Sequence, residues 1–178
     1  MRAAAIIVMG VSGSGKSTIG ALLAEALGWP FADADGFHPA ANVAKMASGQ
    51  PLTDEDRWPW LDAIAKHIAA ARAAGQPVVV ACSALRRAYR DRLRAGYKDL
   101  VFLHLAGDAG LIAGRQAARQ GHFMPPSLMA SQFATLEDPA AEADAVTVSV
   151  LASPHEVVAA ALSQLVAAGA VAPPKAGP

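Results

Sequence analysis

Residues Gly10 to Thr18 read GVSGSGKST and satisfy G-x-x-x-x-G-K-S/T through Gly10, Gly15, Lys16 and Ser17. The order of residue types is a chemical one. Glycines let the backbone turn so that the N–H groups of Val11, Ser12, Gly13, Ser14 and Gly15 share one concavity, while a helix starting at Lys16 directs its positive dipole end there. Such a cradle suits the phosphates of ATP: Lys16 reaches the β- and γ-phosphates, and Ser17, followed by Thr18, offers a hydroxyl oxygen to Mg²⁺. Downstream, Asp33 and Asp35 stand two residues apart, so strand alternation sends both carboxylates to the same side. One carboxylate, Asp33, can hold a water of the Mg²⁺ shell while Asp35 contacts an acceptor hydroxyl. The plain alternative is an Asx-rich turn.

The stretch DADGFHPAANVAKMASGQPLTDEDRWPWL, residues 33 to 61, concentrates polar groups in an otherwise Ala- and Val-rich chain. His38 and Asn42, with Asp35, supply the mixed donors and acceptors that a polyhydroxylated acceptor needs. A carboxylate on that acceptor asks for a guanidinium fork, which Arg57 carries, although Arg57 is equally readable as a surface ion-pair partner of Asp54 or Asp56. Trp58 and Trp60 read as packing residues. In SALRRAYRDRLR, Arg86 and Arg87 fall in the first turn of a helix, where cations are disfavoured unless an anion offsets them. Arg86 is therefore expected to face an acceptor carboxylate or phosphate, and Arg87, Arg90, Arg92 and Arg94 read equally as anion-facing groups or as a solvated basic face. Arg115 and Arg119 lie four apart on one helical face, just before a break at Gly121 to Pro126.

These groups need a scaffold, and the apolar pattern supplies one. Runs of strand length alternate with helical stretches, the pattern of an α/β fold with a parallel sheet. Strands are predicted at Ala4–Met9, Pro30–Ala34, Val78–Cys82, Leu100–Leu105 and Ala145–Val150. Helices are predicted at Lys16–Leu27, Pro39–Ser48, Thr53–Ala74, Arg86–Ala95, Asp108–Gln120, Pro126–Leu136 and Pro154–Ala168, with Gly28, Gly49, Gly75, Gly96, Gly121 and Gly169 as left-handed C-terminal caps. The 178 residues suit one domain, here residues 1–168, with a disordered tail at 169–178. Fifteen basic and fifteen acidic side chains leave no net pull toward nucleic acid or an anionic membrane. The single cysteine, Cys82, fits a reducing compartment, and no run reaches the roughly 20 apolar residues of a membrane span. A cytoplasmic protein is expected. A GTPase would carry N-K-x-D, which is missing, and a motor ATPase would end a strand in acids, whereas PVVVACSAL ends in Cys82 and Ser83. A nucleotide-binding regulatory protein remains as another reading.

Together GVSGSGKST, the 33–61 stretch, CSALRRAYRDRLR and RQGHFMPPSLMASQFATLE resemble the gluconokinase family of small phosphate-loop kinases over residues 5 to 168. The pattern runs through Asp33, Asp35, His38, Pro39, Asn42, Lys45, Met46, Gly49, Leu52, Asp54, Asp56, Arg57 and Trp60. Ala34 departs from it, standing where a glycine is expected between the acids. The resemblance implies a three-layer α/β P-loop kinase fold, similar to shikimate kinase and the nucleoside monophosphate kinases. Its five-stranded parallel sheet has the order 2-3-1-4-5, with a mobile lid within about 108–130. It implies phosphorylation of D-gluconate by ATP to 6-phospho-D-gluconate, with another hydroxy acid such as shikimate as the rival acceptor, and a homodimer. It moves Arg57 to the acceptor site, joined by Ser83 and Arg86. It also makes Arg115 an adenine-packing residue and Arg119, with Lys16 and Asp35, part of the catalytic set.

Overall fold

The computed structural model describes residues 2–118 and 126–174. Uninterrupted apolar runs form β1 (Ala5–Met9) and β3 (Val78–Ala81), every residue of which is buried, as strands covered on both faces must be. With β2 (Phe31–Asp33), β4 (Leu100–Ala106) and β5 (Ala145–Ser149) they make one parallel sheet in the order β2-β3-β1-β4-β5. Ile7 lies between Val80 and Phe102, and Asp33 lies beside Ala81, so β1, β2 and β3 end along one edge. In open α/β sheets that edge is where ligands bind.

Alternation along the strands divides the core into two layers. Ile6 and Val8 pack with Leu23 of α1 (Lys16–Leu27) and with Val157, Ala161 and Leu165 of α7 (Pro154–Ala167). Ile7 and Met9 turn the other way, onto Trp60, Leu61 and Ile64 of α3 (Asp54–Ala73) and Tyr89 of α4 (Arg87–Arg94). A smaller cluster joins Val11, Leu85, Ile112 of α5 (Ala109–Ala118) and Met129 of α6 (Pro126–Thr135). The exposed α2 (Ala40–Ala47) completes the helices. At Gly20 of α1 a Cβ would stand 2.7 Å from the Phe31 ring, so any side chain there would have to displace that ring.

The predicted strands and helices are all present, with ends shifted by a residue or two where they are described; the predicted end at Gln120 lies outside the described residues. Two short 3₁₀ turns, Ala34–Phe37 and Pro139–Ala141, were not expected; each is capped by an aspartate, Asp33 and Asp138, accepting a backbone N–H. Gly28, Gly49, Gly75, Gly96 and Gly169 have φ between 65° and 81°, as expected of left-handed caps; Gly121 lies outside the described residues. Residues 170 and 171 are not part of the disordered tail expected there. Ala170 and Val171 are buried against the α1/α7 layer and Ala170 accepts a hydrogen bond from Ala3 N–H at 2.9 Å, so the core extends past residue 168.

The expected basic face of α4 is corrected at Arg90 and Arg94, whereas Arg87 and Arg92 are exposed as expected. Arg90 is fully buried: its guanidinium pairs with Glu142 and donates to the carbonyls of Ala84, Leu85 and Glu137. Arg94 joins Glu142, Asp144 and Asp91. Arg92 pairs with Asp62 at 2.6 Å and lies over the Trp58 ring. The acids that neutralise Arg90 and Arg92 are 52 and 30 residues away, so nothing local to α4 marks these arginines as paired.

Candidate active site

The phosphate loop leaves β1 at Gly10, whose φ of 152° and crowding explain the glycine: a Cβ would lie 2.7 Å from Ser14 Oγ and 3.0 Å from the Leu105 carbonyl. Gly10 N–H donates to the Ser83 carbonyl at 3.3 Å, pinning the loop to the end of β3. Lys16 Nζ donates to the Val11 carbonyl at 3.0 Å, folding its side chain across the loop. Ser14 Oγ is buried close against Gly10 with no hydrogen-bond partner among the described atoms, which leaves a hydroxyl donor unspent in the loop. That observation fits a ligand carrying many acceptor oxygens.

Ser17 Oγ donates to Asp33 Oδ2 at 2.6 Å, and Asp33 Oδ1 accepts from the N–H of Asp35 at 3.0 Å. Asp33 thus ties the phosphate loop to the turn that presents the exposed Asp35. A serine hydroxyl and a carboxylate are hard oxygen donors suited to Mg²⁺, which binds through one or two protein groups and completes its shell with water and phosphate. Among the described residues no cluster of three or more His, Cys, Asp or Glu side chains could hold a metal unaided. Lys16, Asp33 and Asp35 all lie within electrostatic reach of Cys82, whose thiol burial pushes up to about 12.

Beyond Asp35 the polar side chains form a connected wall. His38 stacks on Trp60 with ring centroids 4.2 Å apart, and Trp60 Nε1 donates to the Ala34 carbonyl at 2.7 Å. Burial lowers the His38 pKa below 6.5; Asp35 opposes that shift and Arg57 adds to it. Asn42 is buried, donating to the Asp56 carbonyl at 2.8 Å and lying 3.3 Å from His38 Nδ1, so it holds the imidazole in place. Asp56 is occupied by Lys45 at 2.6 Å and by its capping box with Thr53. Neither Asp54 nor Asp56 is what holds Arg57. Its Nη1 donates to the Leu52 carbonyl at 2.7 Å and to Tyr89 Oη at 3.1 Å. Tyr89 in turn donates to Asp54, which sits 3.5 Å from Arg86 Nη1. Arg86 is the N-cap residue of α4 and half-exposed, so it precedes the first turn in which it was expected.

On the other side of the loop a cleft of about 440 Å³ is lined by Gly13, Gly15, Thr18, Arg115, Leu151 and Pro154 among others, within the size range of small-molecule sites. Arg115 Nη2 reaches the Leu151 carbonyl at 3.4 Å. Arg119 lies outside the described residues.

The family model described as an AAA domain matches residues 6–145. A gluconokinase from Gluconobacter oxydans is 47% identical over 144 residues, covering 81% of each chain. The crystal structure of a gluconokinase from Sinorhizobium meliloti superposes with a TM-score of 0.85 at 48% identity, covering 94% of both chains. The chain belongs to the gluconokinase family. Shikimate kinase from Aquifex aeolicus, at 18% identity and a TM-score of 0.61, shares the fold alone.

As a gluconokinase-family chain it accommodates Ala34 without distortion. Ala34 is buried at the head of the 3₁₀ turn with its carbonyl engaged by Trp60, and φ is negative at both Ala34 and Gly36. Two residues absent from the sequence-based site belong beside it. Tyr89 bridges Arg57 to Asp54, and Gln132 Oε1 accepts from Ser12 N–H at 2.6 Å. Gln132 carries a signal that could have found it: it is polar on the stripe formed by Met129, Phe133 and Leu136.

Proposed function

We propose that this gluconokinase-family chain transfers the γ-phosphoryl group of ATP to the terminal primary hydroxyl of D-gluconate, giving ADP and 6-phospho-D-gluconate. The observation that carries the residue assignment is the Ser17–Asp33 contact, which joins the phosphate loop to the acidic end of β2 and leaves Asp35 open to solvent. Asp35 accepts the hydroxyl proton as that oxygen bonds to phosphorus and the bond to the ADP oxygen breaks. Lys16 and the start of α1 balance charge on the phosphates, together with loop amides other than Ser12 N–H and Ser14 N–H, which donate to Gln132 and to the Val11 carbonyl. Mg²⁺, held by Ser17 and Asp33, supplies further charge neutralisation when bound. His38, held in place by the buried Asn42, meets the acceptor hydroxyls, with Ser83 at the same edge. Arg57, held by Tyr89, and Arg86, held by Asp54, retain further donors for the acceptor carboxylate.

The cleft at Arg115 and Leu151 suits the adenine ring, with the guanidinium over its face. A lid within 108–130, a homodimer and a cytoplasmic location complete this reading and rest on the family resemblance. No helix among the described residues is long and apolar enough to cross a membrane.

The test is ADP release with mass detection of product over a panel of sugar acids and shikimate. Gluconate is expected to stimulate ADP formation and to gain one phosphoryl group, and Lys16→Ala to lower turnover by at least about 10²-fold in a folded protein. Shikimate turnover without gluconate turnover overturns the acceptor. ADP formation that no polyol acid stimulates overturns the kinase reading in favour of a regulatory ATPase.

A further inference from the structure

We propose that Gln132 is a positioning residue for phosphoryl transfer, acting through the Val11–Ser12 peptide. This rests on the reading of Gly10–Thr18 as the phosphate site and extends it to a residue 120 positions away.

A peptide unit is planar, so fixing the direction of its N–H fixes the direction of its C=O. The unit joining Val11 to Ser12 is held at both ends. Its N–H donates to Gln132 Oε1 at 2.6 Å, and its carbonyl accepts from Lys16 Nζ at 3.0 Å and from Ser14 N–H at 3.2 Å. Gln132 therefore orients the carbonyl that places the Lys16 ammonium. The side chain beside that unit is anchored as well: Val11 is buried in the cluster of Leu85, Ile112 and Met129, with Phe133 and Leu136 packed against it. Met129, Phe133 and Leu136 set the rotation of α6, and at that rotation Gln132 faces the loop. Glycines at 10, 13 and 15 leave the loop much conformational freedom, and Gln132 restricts it from outside. The carboxamide satisfies one loop amide with a neutral acceptor, adding no negative charge to a phosphate site.

Two substitutions separate positioning from packing. Gln132→Met keeps the volume and removes the acceptor; Gln132→Glu keeps the acceptor at the same reach. For Gln132→Met the expected result is a fall in kcat/KM for ATP of about threefold to tenfold, the range of a single hydrogen bond, with gluconate KM at saturating ATP within twofold of the parent. In Gln132→Glu, kcat is expected nearer the parent's than in Gln132→Met, with ATP KM raised by the added charge. ADP affinity by calorimetry, measured without gluconate, tests the same link should the acceptor assignment fail, and is expected to drop in Gln132→Met. Hydrogen exchange on the unsubstituted chain needs no variant to fold: Ser12 N–H is expected to be protected without nucleotide. Unchanged ATP kinetics and ADP affinity in folded Gln132→Met overturn the proposal. So does equal loss in both variants tracking a common fall in Tm, or fast exchange at Ser12.

Discussion

Asp33 and Asp35 are two residues apart and chemically identical, yet their surroundings differ. Asp33 spends both oxygens inside the protein, on Ser17 Oγ and on the N–H of Asp35, whereas Asp35 is exposed toward the wall of His38 and Arg57. Asp35→Asn keeps shape but cannot take a proton, so turnover should fall by about 10²–10⁴-fold with ATP affinity little changed. Steady-state kinetics with ADP binding by calorimetry checks this, and turnover within a few fold of the parent would make Asp35 a turn residue only. Spacing made this pair legible, because strand alternation is a local rule. Tyr89 was not legible, because its partners Arg57 and Asp54 lie 32 and 35 residues away and only the packing of α3 against α4 brings them together.

Element boundaries were readable where local chemistry sets them. Lys16–Leu27 is found as expected because the phosphate loop starts it and Gly28, at φ 67°, ends it. The start of α3 follows from the Thr53–Asp56 capping box, and the helix continues through Pro59. What local chemistry does not carry is the partner of each polar face, and α4 shows this. A run of arginines on a short helix reads as solvated until the chain beyond α6 returns with Glu137, Glu142 and Asp144. Arg90 is then a buried cation whose neutralisation fastens α4 to the lead-in of β5. Arg90→Met should destabilise by about 3–5 kcal/mol, because it strips a charge partner from Glu142 and donors from three carbonyls. Urea unfolding measures this, and a midpoint equal to the parent's would show that the network adds nothing. Arg92→Met, which removes only an exposed pair, should shift the midpoint far less than Arg90→Met.

At the scale of the molecule, one hydrogen bond bears on how the chain is threaded. Ala3 N–H meets the Ala170 carbonyl at 2.9 Å, so the start of β1 and the residues just after α7 are neighbours across the sheet end. The order in which the five strands are translated is therefore separable from the order in which they pair. A circular permutant joining these two points by a short glycine-rich linker, and opened at the turn holding the exposed Gly75 and Gln76, would begin with β3 yet should build the same β2-β3-β1-β4-β5 sheet. It keeps the phosphate loop, both aspartates and α6 on uncut segments. Its circular dichroism and nucleotide affinity should match the parent's, and only the rate of refolding should change, since joining the ends alters which contacts are close along the chain.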